Sequence, residues 1–290
     1  MKFDKNTKIL IVGLGLIGGS YAKALSDEGY FVGAIDKKKS SVEYALKNGL
    51  IQVGETSVKK DFVKDFDLIV FALYPHDFIN WIKEYQSSIK SGALITDVTG
   101  VKSFVVENVQ KILRGDLEFV GAHPMAGKEV SGVENADPKI FVGANYIVTP
   151  TKKNTDENVQ AVKDLGRALG FERISSLSPE EHDETVGFLS HLTHCIAVSL
   201  MVSKKSHHLA EYTGDSFRDL TRIAKINDEM WSELFLANKD ELLKQMDLFE
   251  EKFNQLKEDI KNDNREKIRE TLRESTVRRK VFDKDAKETK

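Results

Sequence analysis

Five short apolar runs, over residues 8–12, 30–35, 67–73, 93–97 and 117–120, punctuate the first part of the chain. Each is too short for a buried helix, and none alternates as a half-exposed strand would. They are predicted as strands covered on both faces, as in a parallel sheet. Between them apolar residues recur at helical spacing: Tyr21, Ala22, Ala24 and Leu25; Phe78, Ile79, Trp81 and Ile82 behind Pro75; and Val101, Phe104, Val105, Val109 and Ile112. Pro75 suits a first helical turn, where its missing N–H would have no partner. A strand over 141–148, an amphipathic helix over 156–169 and a short strand over 171–174 follow. Such alternation predicts an α/β fold, a Rossmann doubly wound parallel sheet, over residues 1–175.

The pattern changes at Ser178-Pro179-Glu180-Glu181. A serine cap, a proline and two acids make a helix start. Residues 176–290 are predicted to be all-helical: a long helix over 179–203, a loop and short helix over 211–227, and a helix over 228–238. From residue 239, Leu242, Met246, Phe249, Phe253, Leu256 and Ile260 recur at spacings of four and three, and Ile268 and Leu272 continue a stripe on a further helix. A seam of this kind packs on another helix. An intrachain hairpin is one solution; a homodimer through the C-terminal helices is the favoured one. The last ten residues are polar and expected to fray.

Composition narrows the setting. A chain of 290 residues, 40% hydrophobic and 31% charged, fits a soluble globular protein of one or two domains. A net charge of -3 gives no nucleic-acid footprint. A lone cysteine, Cys195, cannot close an internal disulfide, which suits a reducing compartment. The polar N-terminus lacks a signal-peptide core, and no uninterrupted apolar run approaches the ~18 residues of a membrane span. A cytoplasmic protein with no membrane partner is expected.

Chemistry enters at Gly13-Leu14-Gly15-Leu16-Ile17-Gly18, which joins the first strand to the first helix, with Asp36 ending the second strand. This is a dinucleotide-binding fingerprint in its required context. Gly13 allows a tight turn, Gly15 lets a pyrophosphate approach, and Gly18 lets helix and strand pack closely. The amides at Leu16 and Ile17 open the helix whose dipole faces the phosphates. Asp36 can accept from a ribose 2′-hydroxyl and repels a 2′-phosphate, favouring NAD over NADP. Lys37, Lys38 and Lys39 read as a solvated turn.

Three further groups stand out. His123 and Glu129 lie in Gly121-Ala122-His123-Pro124-Met125-Ala126-Gly127-Lys128-Glu129, where a strand is expected to break into a loop. His123 either caps that strand or faces a ligand at the sheet's carboxyl edge. Ser190, His191 and His194 share one side of the long helix. The two histidines lack a third ligand at metal-site spacing, so no metal is expected; the plain alternative is one solvated ring and one bonded to a neighbour. Asp219 and Arg222, three apart, can hold each other, or form a surface pair of little energetic weight.

These stretches also carry a resemblance. G-L-G-L-I-G-G-S at Gly13 to Ser20, D-V-T-G-V-K at Asp97 to Lys102, H-P-M-A-G-K-E at His123 to Glu129, S-H-L-T-H at Ser190 to His194 and F-R-D-L-T-R-I-A at Phe217 to Ala224 stand in order. Together they resemble the prephenate/arogenate dehydrogenases of tyrosine biosynthesis, in the form without a fused chorismate mutase or a further regulatory domain. The resemblance implies NAD-dependent oxidative decarboxylation of prephenate to 4-hydroxyphenylpyruvate. It implies His123 as the base, His194 as a second histidine near substrate, and Ser190 and His191 as its support. Arg222 would clamp a substrate carboxylate, positioned by Asp219, and Glu129 would join an ionic network at the pocket mouth. Relatives with serine in D-x-x-S-V-K use its hydroxyl to support the histidine; here Gly100 stands there, and Thr99 is the nearest hydroxyl. Lys102 would border the site. Arogenate dehydrogenase is the nearest alternative. A nucleotide sensor would need none of these side chains. A 3-hydroxyacid dehydrogenase would carry a lysine early on the long helix, where this chain has His191 and His194 and a first lysine only at Lys204.

Overall fold

In the computed structural model, which describes residues 1–205 and 208–282, the chain falls into two compact units, Met1–Lys239 and Asp240–Lys290. Among the described residues the first holds nine strands: β1 (Lys8–Val12), β2 (Phe31–Ile35), β3 (Val53–Glu55), β4 (Leu68–Phe71), β5 (Leu94–Asp97), β6 (Glu118–Phe119), β7 (Gly121–Pro124), β8 (Asn145–Thr149) and β9 (Arg173–Ser176). Its helices begin with α1 (Leu16–Asp27), α2 (Lys39–Lys47), α3 (Lys60–Val63), α4 (Pro75–Tyr85), α5 (Ser103–Ile112) and α6 (Asp156–Ala168).

The main sheet is parallel in the order β3-β2-β1-β4-β5-β6. Alternate residues of each strand feed two cores. Ile9, Ile11, Val32, Leu68 and Val70 pack under Tyr21, Leu25 and Leu165. Leu10, Val12, Ile69, Phe71 and Ile95 pack under Phe78, Ile82, Val105 and Val109. A sheet covered on both faces is why its strands read as unbroken apolar runs. The order reverses between β1 and β4, so the crevice at the switch point opens beside the turn after β1.

One expectation is corrected here. The stretch around His123 is a strand, and the sheet does not continue through it. β7 pairs antiparallel with β8, placing His123 opposite Ile147, and β8 pairs parallel with β9. β7 meets the main sheet through side chains: Asp97 accepts from the Ala122 N–H (3.1 Å), and the Lys102 ammonium donates to the Ala122 carbonyl (2.5 Å). This buried pair does the work of a ladder where the two sheets meet.

The helical part opens with α7 (Pro179–Val186), a wider-pitched turn over Gly187–Leu192, and α8 (Thr193–Val202). Ser178 and Glu181 close a capping box at its start. By length and mean hydropathy Pro179–Val202 passes for a membrane span, although no uninterrupted apolar run is that long. Its His182, Asp183 and His191 are nevertheless buried in hydrogen bonds to other elements. α9 (Asp215–Thr221) and α10 (Asp228–Ala237) follow, and Leu234 of α10 is buried in the same core as Val101 and Phe71. The second unit contains most of α11 (Lys239–Lys261), then α12 (Arg265–Arg279), joined at Asp263 in a left-handed conformation. Of the polar tail expected to fray, residues 283–290 lie outside the described residues.

Candidate functional site

The turn after β1 is shaped by what its glycines exclude. Gly13 has φ +100°, and a Cβ there would lie 2.4 Å from the Ala72 carbonyl oxygen. At Gly18 a Cβ would come 1.9 Å from the Gly13 oxygen. At Gly15 it would meet nothing within 4 Å. Two glycines close the turn and the third leaves its outer face open. Gly15 caps α1 without a side-chain hydrogen bond, so the first amides, including Leu16 and Ile17, stay available to an anion. Asp36 accepts from the Leu14 N–H (2.6 Å) and the Lys38 N–H (2.7 Å), which fixes its carboxylate beside the turn. The residues present fit a dinucleotide.

His123, half-buried on β7, lies at the same edge of the fold. Its Nδ1 is 2.8 Å from Nε2 of His182, and Nδ1 of His182 is 2.8 Å from Oδ1 of Asp183. The Asp183 carboxylate also accepts the backbone N–H groups of Lys102 and Ser103, each at 2.8 Å, where α5 begins. Burial, reinforced by His182, Lys102 and His191, holds the His123 imidazole well below the usual histidine pKa. Burial likewise lowers His182, against the pull of Asp183. Both rings are neutral near pH 7.

Lys102 is fully buried and pairs with Asp97 at 2.7 Å, with Thr99 Oγ1 at 3.1 Å. Burial lowers its pKa and Asp97 opposes the shift. The Thr99 hydroxyl is engaged by Asp97 and by the Val101 carbonyl. It forms no hydrogen bond with His123, so the support expected of it goes instead to the Asp97–Lys102 pair.

Ser190 and His191 lie in the wide turn and His194 in the first turn of α8. His194 Nδ1 lies 2.8 Å from the Ser190 carbonyl; a carbonyl only accepts, so Nδ1 carries the proton and Nε2 is the free acceptor. The His194 ring stacks on Trp231 of α10, centroids 3.7 Å apart. Burial lowers its pKa, with Glu129 and Arg222 acting in opposite senses, so both charges lie within range of this ring. His191 is buried, with Nδ1 3.3 Å from the Asn238 amide nitrogen, and burial brings its pKa to about 4. The amide of Asn238 also donates to the Asp183 carbonyl (2.9 Å).

Arg222 donates to Glu129, and both side chains are substantially exposed. Asp219 makes no hydrogen bond or ion pair with Arg222 among the described residues; α9 ends at Thr221, and Arg222 starts a tighter turn that takes the two out of helical register. His182, Asp183, Trp231 and Asn238 are the members that sequence reasoning missed. A histidine-acid pair one turn into a capped helix is the only local signal His182 and Asp183 offered. A cavity of about 260 Å³ lined by Met1, Asp4, Thr7, Asp67 and Lys90 lies at the amino ends of β1, β4 and β5, away from this edge.

Comparison with known proteins places the arrangement. The family model for the prephenate dehydrogenase nucleotide-binding domain matches residues 21–173, and that for the prephenate dehydrogenase dimerization domain matches residues 178–274. Prephenate dehydrogenase of Bacillus subtilis is 35% identical over 82% of this chain, which spans 66% of that enzyme's length. The Lactococcus lactis enzyme is 32% identical, over 86% of this chain and 70% of its own. The crystal structure of prephenate dehydrogenase from A. aeolicus in complex with hydroxyphenyl propionate and NAD+ superposes with a TM-score of 0.87 at 34% identity, covering 96% of this chain and 98% of that one. With both domains matched in order, and relatives above 30% identity along most of its length, this chain belongs to the prephenate dehydrogenase family.

Proposed function

We infer that this chain is an NAD-dependent prephenate dehydrogenase, converting prephenate to 4-hydroxyphenylpyruvate with loss of carbon dioxide. The observation that carries the reading is the pairing of an open glycine turn with a neutral imidazole at one edge of the fold. NAD, when bound, supplies the acceptor for the hydride leaving the ring carbon that bears the hydroxyl. Gly13, Gly15, Gly18 and the amides of Leu16 and Ile17 hold its pyrophosphate, and Asp36 takes a ribose hydroxyl.

The protein's own part is to bind, orient and move a proton. His123 takes the hydroxyl proton as the carbonyl forms, which a neutral imidazole can do near pH 7. Carbon dioxide then leaves from the opposite ring carbon and the ring becomes aromatic. Arg222 binds a substrate carboxylate and is held at the site by Glu129. His194, with Ser190, His191 and Trp231 fixing its ring, presents Nε2 to substrate. Thr99 and Lys102 set the position of β7 beneath His123. Asp219 shapes the segment before Arg222.

Residues 1–175 form the dinucleotide-binding domain and residues 176–290 the substrate-binding and dimerisation domain. The exposure of Met246, Phe249, Phe253, Ile260 and Leu272 supports a homodimer through the C-terminal helices, since seam residues of this size are seldom left to solvent. The enzyme works in the cytoplasm on a small-molecule substrate.

Following NADH absorbance with prephenate and with arogenate tests the reading. Faster turnover of prephenate is expected, with a roughly 10²–10⁴-fold lower kcat for His123→Asn. Faster use of arogenate overturns the substrate assignment, and an unchanged kcat in His123→Asn removes it as base.

A further inference from the structure

The ring of His123 has one hydrogen-bond partner among the described residues, and it is another histidine. His182 is fully buried and Asp183 is 2% exposed. The line they form has a direction. Asp183 already accepts two backbone N–H groups at the start of α5, so its carboxylate is fixed in place. A carboxylate accepts, so Nδ1 of His182 must carry the proton it shares with Asp183. A neutral His182 then has a lone pair on Nε2, which can only accept from Nδ1–H of His123. That leaves Nε2 of His123 unprotonated. The opposite arrangement would set a lone pair against the carboxylate at 2.8 Å.

We propose that His182, anchored by Asp183, is the positioning residue that fixes the tautomer and ring orientation of His123, leaving Nε2 as the basic nitrogen. This rests on the reading of His123 as the base. The substrate hydroxyl gives its proton to Nε2 as its carbonyl forms. The positive charge that develops on His123 is shared through Nδ1–H with His182, whose other nitrogen faces Asp183. The remaining charged and titratable groups packed around the two rings are Lys102 with its partner Asp97, and His191. Such a line performs for one imidazole what a buried acid performs for the histidine of a hydrolytic triad, with a second imidazole interposed.

The vacancy at Gly100 makes this the route open to the chain. A Cβ at Gly100 would stand 3.9 Å from Cε1 of His123 and 3.5 Å from the Leu234 methyls, so a serine there would bring a hydroxyl within reach of the ring. Glycine supplies none, and Thr99 is turned to Asp97.

The test uses the full-length protein. Two-bond ¹H–¹⁵N spectra of the histidine rings in the unmodified chain should show His123 protonated at Nδ1 and bare at Nε2 at neutral pH. The reverse tautomer overturns the proposal without any substitution. In steady-state kinetics, His182→Leu should lower kcat by roughly 10- to 100-fold while KM for prephenate stays within about twofold. Adding Gly100→Ser to His182→Leu should recover part of that loss, which repair of a merely structural defect would not do. A folded His182→Leu protein with unchanged kcat, or a double variant with no recovery, overturns it. Failure of the base assignment is separate: it appears as unchanged kcat in His123→Asn, whereas failure of the relay leaves the His123→Asn defect intact.

Discussion

Arg222 reaches across 93 positions of sequence to donate to the carboxylate of Glu129 and leaves Asp219, three residues away, alone. Both partners are too exposed for the pair to add much stability; pairs of this kind are worth under about 1 kcal/mol. What the pair does is hold a guanidinium near His194. Arg222→Gln should therefore raise KM for prephenate by roughly 10- to 100-fold, the value of a charge-assisted hydrogen bond, with kcat little changed. Asp219→Asn should leave KM where it was. Steady-state kinetics on the two variants separates them, and equal effects would return Asp219 to the role that sequence spacing gave it.

The glycine turn makes a sharper division. A methyl group at Gly15 meets no protein atom within 4 Å, whereas one at Gly18 lies 1.9 Å from a backbone oxygen. Gly15→Ala should keep Tm within about 2 °C while weakening NAD binding at least roughly tenfold, because the added carbon occupies the space of the pyrophosphate. Gly18→Ala should lower Tm by several degrees whether or not NAD is present. Thermal unfolding and titration with NAD together check both. A Gly15→Ala protein with normal affinity would place the dinucleotide elsewhere.

These two sites also mark how far the sequence could be read. The glycine turn was legible because every contact that defines it is local: strand, turn, helix and Asp36 follow one another along the chain. The buried parallel strands were legible for a related reason, since burial on both faces leaves unbroken apolar runs. The three-residue strand Val53–Glu55 has no such run, and it went unseen. β7 was read as a loop because Gly121–Pro124 mixes a histidine and a proline, and what fixes it is the Asp97–Lys102 pair acting on Ala122. His182 was missed because its partner is 59 residues away and its own surroundings read as an ordinary helix start. The pairing of Arg222 with Asp219 assumed a helix that continues, and the helix ends between them.

The buried histidines leave a signature in stability as well as in rate. His123, His182, His191 and His194 all have folded-state pKa values pushed down by burial, His191 to about 4. An unfolded histidine titrates near 6.5. Between those limits the unfolded chain binds more protons than the folded one, so stability falls as pH falls from about 6.5 towards 4 and is fully present above that window. For His191 the loss at pH 5 amounts to roughly 2 kcal/mol. The carboxylates with lowered pKa, Asp67, Asp116 and Asp183 among them, act at lower pH and do not explain a change in this window. Tm measured from pH 7.5 to 5 should drop by several degrees, and His191→Gln should flatten the slope while lowering Tm at pH 7.5. A profile that is flat down to pH 5 would mean that these rings titrate in the native protein as they do in the unfolded chain, so that burial does not shift them.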